Sequence, residues 1–286
     1  MKKPAYLTEE TLKTFILSAL NEDLQGGDHS TLATIPENLI QKKQCLLKED
    51  CVVAGIELAE MIFKTLDPSI KVDVLIPDGK TAKAGDIAFI VRGKAQSIMQ
   101  AERLVLNCMQ RMSGIATLTQ EWDSRLVGTK TRLLDTRKTT PNFRVCEKWA
   151  VAIGGGTNHR NGLSDMIVLE DLHIDHNGSL TKAVKKAKDY LKKNKLNLKI
   201  SVKTRNLSEV EEALKAKVDR ITLNHTDLSF IKKAVTLING KIETEASGDL
   251  TRDQLKDLAA TGVGFISAGG LTQCAKTIAI DLESIE

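Results

Sequence analysis

Hydrophobic and polar residues alternate at two different rhythms along the chain, and the rhythm changes near residue 130. Before it, Leu12, Phe15, Ile16 and Leu20 recur every three or four positions, which predicts an amphipathic helix. Thr8, trailed by acidic residues, marks its start as a capping box. Three β-like pieces follow at 44–55, 71–79 and 86–93, with turn signals at Asp78-Gly79 and Gly85-Asp86. They predict an α+β block with mainly antiparallel strands, closed by a long amphipathic helix over 96–112.

Beyond 130, short apolar runs alternate with helical ones. The β-type runs fall at 131–136, 166–171, 199–204, 220–225, 241–247 and 264–270, and the last four start 21, 21 and 23 residues apart. Amphipathic helices are predicted between them at 207–216, 227–237 and 251–261. A βα unit repeated at this interval implies parallel strands with helical crossovers, and six or seven units favour a barrel over a flat doubly wound sheet. In a barrel the chemistry sits at the C-terminal ends of the strands. That rule selects 135–138, 170–173, 203–205, 224–225, 247–249 and 268–270 as candidate site segments.

Composition narrows the class. With 42% hydrophobic and 27% charged residues, the chain is neither disordered, collagen-like nor a disulfide-stapled miniprotein. Two Trp, two Tyr and six Phe are few for stacking single-stranded nucleic acid. Five cysteines without CxxC spacing argue against a zinc ribbon or a disulfide framework and point to a reducing cytosol. The N-terminal segment has no sustained apolar core, so no signal peptide is expected, and no run is long enough for a membrane helix. The net charge of +4 hints at an anionic ligand. Residues 182–199 alone carry eight Lys and one Asp, so the bulk basicity belongs to one segment, read as a solvated helix face with no nucleic-acid partner expected.

The chemistry-bearing motifs are therefore local. DTRKTTPNFR (135–144) places Thr136, Arg137 and Lys138 at a strand end, a pattern suited to carboxylate or phosphate binding; its ordinary reading is a basic turn. GGGTNHRNGLSD (154–165) follows a glycine run with His159 and Arg160, and it has neither P-loop nor dinucleotide-fingerprint spacing. Its glycines would let the backbone approach a ligand closely, or simply form a turn. Arg103 and Arg111 lie eight apart on one helix face; such cations ordinarily face solvent, and a role for Arg103 needs a partner surface. Small residues at 247–249 and 268–270 suit a phosphate or an ordinary βα turn. Asp171, His173, Asp175 and His176 have no regular ligand spacing, so no metal site is assigned to side chains.

Taken together, the run from LLDTRKTTP through EKWAVAIGGGTNHRNGLSDMIVLEDLHI resembles the core signature of the quinolinate phosphoribosyltransferase family, also called nicotinate-nucleotide pyrophosphorylase (carboxylating). AERLVLNCMQRMSGIAT (101–117), GGDHSTLATIP (26–36), VVAG (52–55) and EASG near the end fit it too, so the resemblance spans essentially the whole chain. It implies an α/β fold: an N-terminal α/β sandwich over 1–112, rejoined by 275–286, and an open seven-stranded α/β barrel of the type II phosphoribosyltransferase kind over 113–274. It implies a cytoplasmic pentosyltransferase that converts quinolinate and phosphoribosyl pyrophosphate, with Mg²⁺, into nicotinate mononucleotide, pyrophosphate and CO₂ for NAD biosynthesis. It also implies a homodimer, or a multiple of it, whose partner completes each site and supplies the surface Arg103 needs. Arg103, Thr136, Arg137, Lys138, His159 and Arg160 match positions around the pyridine dicarboxylate, with Lys138 and Arg103 the catalytic candidates.

The phosphoribosyl side departs from the family pattern. Where the family has Lys-Asp-Asn-His, this chain has Glu170, Asp171, Leu172 and His173. A family Glu becomes Lys203, Asp-Asn becomes Asn224 and His225, Ser-Gly-Gly becomes Ser247, Gly248 and Asp249, and Val-Gly-Ala becomes Ala268, Gly269 and Gly270. The resemblance implies that the acids at 203 and 224 bind ribose hydroxyls or Mg²⁺, and neither is acidic here. Glu170 and Lys203 read as a charge swap able to pair directly. Asp249, pointing inward, would face a phosphate at roughly 4 kcal/mol for like charges about 4 Å apart at an effective dielectric of 20. Two readings follow: the family reaction, or a catalytically impaired paralogue that binds an aromatic dicarboxylate without phosphoribosyl transfer.

Overall fold

The computed structural model describes residues 3–224 and 227–285, so His225 lies outside the described residues. In chain order, α1 (Glu9–Leu24) and α2 (His29–Thr34) precede β1 (Ile40–Leu47) and β2 (Cys51–Val52). Next come α3 (Ile56–Leu66), β3 (Lys71–Val74), β4 (Thr81–Ala82), β5 (Ile87–Lys94) and the long α4 (Ala95–Asp123). Then follow β6 (Arg132–Leu134), α5 (Arg144–Ile153), β7 (Ile167–Leu169), α6 (Asp171–Asp175), α7 (Leu180–Asn194), β8 (Ile200–Thr204) and α8 (Leu207–Ala216). The chain ends with β9 (Arg220–Leu223), α9 (Leu228–Ile238), β10 (Glu243–Ser247), α10 (Leu255–Ala260), β11 (Phe265–Ser267), α11 (Gly270–Gln273) and β12 (Ile280–Ser284).

These elements form two compact units: 1–120 with 139–155 and 274–286, and 121–138 with 156–273. Contacts group residues 113–120 with the first unit because α4 does not stop at 112. Its buried face continues through Met112, Ile115 and Ala116. Residues 139–155 join the first unit because Glu147, on α5 and fully buried, receives Arg111 of α4 through Nε at 3.0 Å and Nη2 at 2.9 Å. Arg111 therefore holds helices together, where its spacing had predicted a solvent-facing cation. Gly114 is required on α4, since a Cβ there would stand 1.8 Å from the Lys276 carbonyl oxygen of the returning C-terminal segment.

The first unit is built on a four-stranded antiparallel sheet in the order β12-β1-β5-β3. Alternation along β1 turns Lys43, Cys45 and Leu47 inward. α3 covers the sheet, with Phe63 edge-on to Phe89 of β5 at 6.1 Å between ring centres. Thr8 caps α1 by accepting the Thr11 N–H at 3.1 Å. The capping box expected there is a simple N-cap, because its fourth position is Thr11 and carries no carboxylate.

The second unit is a parallel sheet in the order β6-β11-β10-β9-β8-β7. A single parallel bridge from Leu134 to Thr157 adds a seventh stave beside β6. Among the described residues no strand pairing joins Thr157 to β7, which leaves the barrel open there. All four residues of β9 and all three of β11 are buried, as expected of parallel strands covered on both faces. α7 buries Leu180, Ala183, Val184 and Ala187 and leaves its lysines exposed, so the lysine-rich segment is a solvated face. The helix expected over 251–261 is a 3₁₀ turn at Arg252–Gln254 followed by α10.

Candidate active site

The site of the second unit is organised by Asp135, the fully buried residue that follows β6. Its Oδ1 accepts the backbone N–H of His159 at 2.7 Å and its Oδ2 accepts Asn158 Nδ2 at 2.6 Å. Two charge-assisted bonds from one carboxylate fix the 158–160 loop against the strand end. His159 Nδ1 then accepts the backbone N–H of Arg160 at 2.8 Å. That leaves the ring proton on Nε2, where it faces Glu245 Oε2 at 3.2 Å. Both ring nitrogens of His159 are therefore engaged within the protein.

Glu245, on β10, is 3% exposed and is also approached by Arg220 Nη1 at 3.1 Å. Burial alone would raise its pKa, but the hydrogen bond and charge of His159, the Ser267 hydroxyl and the Arg220 charge hold it below 4.5. Arg220 in turn reaches Glu243 at 3.0 Å and lies over the Phe265 ring at 4.3 Å.

Above this network lies a cavity of about 340 Å³. Four cations line it: Arg137, Lys138, Arg160 and Lys203. Asp135, Glu170 and Glu245 supply carboxylates, Thr136, Thr222, Ser247 and Ser267 hydroxyls, and His159 and Val168 complete the wall. Arg160 Nη1 bonds the Met166 carbonyl at 3.2 Å, so this side chain reaches across the open side of the sheet. Burial and then the neighbouring charge of Arg137 lower its pKa, and Glu170 and Asp165 oppose them. Two guanidiniums held close together, with only partial compensation, make a local demand for an anion.

Lys138 is placed by its own loop: its N–H donates to Thr136 Oγ1 at 3.0 Å and its carbonyl accepts Thr272 Oγ1 at 2.7 Å. Gly269 makes room for it, because a Cβ there would lie 2.9 Å from Lys138 Cδ and from Gln273 Oε1. On the other side, Lys203 Nζ is 3.5 Å from Glu170 Oε2 and 3.8 Å from Asp171 Oδ2. The two swapped charges face each other.

The remaining candidates fall elsewhere. Asn224 is half-buried, and its backbone N–H binds the Thr204 carbonyl at 3.3 Å. Asn224, Gly248, Ala268, Gly269 and Gly270 are not among the residues that line the cavity, and neither is Asp249, which is exposed. The negative charge expected against a sugar phosphate is thus directed to solvent. Arg103 belongs to the first unit, exposed on α4. Gly154 serves packing, since a Cβ there would stand 2.4 Å from the Ala116 carbonyl oxygen, and Gly155 turns the chain at φ 99°. His173 Nδ1 accepts the Glu170 N–H at 3.0 Å and Asp175 pairs with Arg205 at 3.0 Å, so these two residues are occupied structurally. Among the described residues no group of three or more His, Cys, Asp or Glu could hold a metal ion.

Thr222, Glu245 and Ser267 line the cavity without having been singled out from the sequence, whereas Asp135 opens the 135–138 segment that the strand-end rule selected. The available signal was the i, i+2 alternation that puts Glu245 and Ser247 on one face of β10.

A family model described as quinolinate phosphoribosyl transferase, C-terminal domain, matches residues 115–283, and its N-terminal counterpart matches 28–113. A mitochondrial quinolinate phosphoribosyltransferase (decarboxylating) of Nicotiana tabacum is 44% identical over 99% of this chain and 84% of its own length. A chloroplastic nicotinate-nucleotide pyrophosphorylase (carboxylating) of Oryza sativa subsp. japonica is 45% identical over 98% of this chain and 79% of its own length. The crystal structure of NadC from Streptococcus pyogenes superposes with a TM-score of 0.91 at 33% identity, covering 98% of this chain and 99% of that one.

Proposed function

This chain belongs to the quinolinate phosphoribosyltransferase family, and on that premise we propose that it carries out the family reaction in its second unit. Quinolinate and phosphoribosyl pyrophosphate give nicotinate mononucleotide, pyrophosphate and CO₂. The observation that carries this reading is the convergence of Arg137, Lys138 and Arg160 on one cavity at the strand ends. A planar dicarboxylate is the anion whose geometry suits two guanidinium forks and an ammonium.

In this reading Arg137 and Arg160 grip the two carboxylates and Lys138 neutralises one of them. The dicarboxylate is thereby oriented with its ring nitrogen toward the ribose C1. Attack by nitrogen forms the N–C1 bond as the C1–O bond to pyrophosphate breaks, with oxocarbenium character at C1. The protein contributes position and charge stabilisation. Once the ring nitrogen is quaternary it can take the electron pair left at C2 when CO₂ departs, and a proton then replaces the carboxylate at C2. His159, engaged by Glu245 and by the Arg160 backbone, positions Arg160.

Among the described residues no group of three or more His, Cys, Asp or Glu forms a cage for a divalent ion, and Glu170 and Asp171 face Lys203. Mg²⁺ would arrive on the diphosphate oxygens of the donor. We assign Arg103, exposed on α4, to a second copy's site in a homodimer or a multiple of it. Five free thiols support a reducing, cytosolic setting. Among the described residues no helix is long and apolar enough to cross a membrane.

Incubating the purified protein with quinolinate, phosphoribosyl pyrophosphate and Mg²⁺ tests the reading, with nicotinate mononucleotide and CO₂ as readouts. Absence of turnover with quinolinate still bound would leave the second reading, a paralogue that binds an aromatic dicarboxylate. The observation favouring that alternative is the lysine at 203 and the amide at 224, where the resemblance implies acids.

A further inference from the structure

Lys203 sits near the C-terminal end of β8, and its side chain lines the cavity of the second unit. Its ammonium lies between two carboxylates, 3.5 Å from Glu170 Oε2 and 3.8 Å from Asp171 Oδ2. The two partners differ from it in exposure: the Lys203 side chain is 23% exposed, that of Glu170 51% and that of Asp171 34%. The cation is held inside the cavity, whereas its closer partner is half in water, and an ion pair of that kind is easily exchanged. Glu170 is also near enough to Arg160 to offset the effects that lower the pKa of that guanidinium. Glu170, half in water, thus faces two cavity cations and fills the place an anionic ligand would take.

A diphosphate needs its non-bridging oxygens neutralised. A divalent ion can do this when one or two carboxylates are open to hold it, but the two beside this ammonium, Glu170 and Asp171, face Lys203 itself. An ammonium is a compact point charge with three donors and can serve the same oxygens from the protein itself. Building on the reaction assigned above, we propose that Lys203 is a protein-borne counter-ion for the diphosphate of the donor. Glu170 is its resting partner and is displaced when the diphosphate enters. The cavity therefore binds a diphosphate without a protein-held divalent cation, and Glu170 weakens that binding by competing for the same ammonium.

Calorimetric titration of the full chain with inorganic pyrophosphate and with phosphoribosyl pyrophosphate, each in EDTA and in excess Mg²⁺, tests this. The wild type is expected to bind at least one of them in EDTA. Lys203→Met is expected to weaken that binding at least tenfold and Glu170→Gln to strengthen it several-fold. Tighter binding of the sugar diphosphate identifies the donor as the ligand, and equal binding identifies the released product. Binding seen only with Mg²⁺, no binding of either anion, or an unchanged affinity in Lys203→Met overturns the proposal. Should Lys203→Met fail to fold, Glu170→Gln decides, because unchanged or weaker binding there overturns it equally. A parallel quinolinate titration of the wild type keeps the two claims apart. Diphosphate binding without quinolinate binding refutes the assigned reaction, and the reverse refutes only the role of Lys203.

Discussion

His159 Nε2 stands 3.2 Å from Glu245 Oε2 at the base of the cavity, and the Arg160 backbone N–H holds the other ring nitrogen at 2.8 Å. Glu245 is buried and its pKa lies below the ordinary 4.5. A carboxylate depressed on folding contributes stability that is fully present above its unfolded pKa. That stability is lost as pH falls through the lower folded value. The wild type is expected to lose stability to urea as the pH falls below the ordinary carboxylate range, in part through this group. Glu245→Gln should be less stable than wild type at pH 7, where the charge is missing beside Arg220, and should show a smaller loss over the acid window. Equal slopes against pH for the two proteins would remove Glu245 from the account.

The Arg111–Glu147 pair makes a separate prediction in the first unit. Glu147 is fully buried, and Thr140 also donates to it through N–H at 3.0 Å and Oγ1 at 2.9 Å. Removing one partner strands a buried charge, which costs about 3–5 kcal/mol. Arg111→Met should lower stability by that order in urea unfolding. The double variant Arg111→Met/Glu147→Gln should recover part of the loss. A double-mutant cycle with no coupling would show that the two side chains act independently.

Rhythm made most of the fold legible. The strand starts 21 to 23 residues apart predicted the parallel sheet because each βα unit must bury one face of a helix on a strand. The end of α4 was not legible, since its apolar face runs on past 112 and nothing in the composition interrupts it. In the site, Arg137, Lys138 and Arg160 could be named from motifs because cations at strand ends stand out. Glu245 could not be ranked, since an acid inside a barrel strand looks like any surface acid until its partners are known, and Asp135 stood out only as the start of the 135–138 segment. Asp249 shows the converse: its sequence position pointed into the site, and its loop leaves it exposed.

Gly269 supports a prediction about placement rather than stability. A methyl group there would meet Lys138 Cδ at 2.9 Å, and that neighbour is a flexible side chain. Gly269→Ala should therefore move Lys138 while the barrel still folds. We expect the thermal midpoint to change little and quinolinate affinity to fall several-fold. A drop in the midpoint with unchanged affinity would mean that the backbone of α11, and not Lys138, absorbs the added methyl.

Arg137 and Arg160 both line the cavity, and the bond from Arg160 to the Met166 carbonyl separates their substitutions. Arg160 spends one donor on the Met166 carbonyl and is lowered in pKa by burial and by Arg137, so part of its side chain is structural. A charge-assisted hydrogen bond contributes about 1.5–3 kcal/mol, roughly tenfold to a hundredfold in affinity. Arg137→Ala should lower quinolinate affinity by at least that factor. Arg137→Lys keeps the charge but loses the planar fork, so it should restore only part of the binding. Arg160→Ala should reduce both affinity and stability, because the Met166 carbonyl loses its donor at the open side of the sheet. Calorimetry with quinolinate alongside urea unfolding reads both effects. Wild-type affinity in Arg137→Ala would remove the dicarboxylate from this cavity.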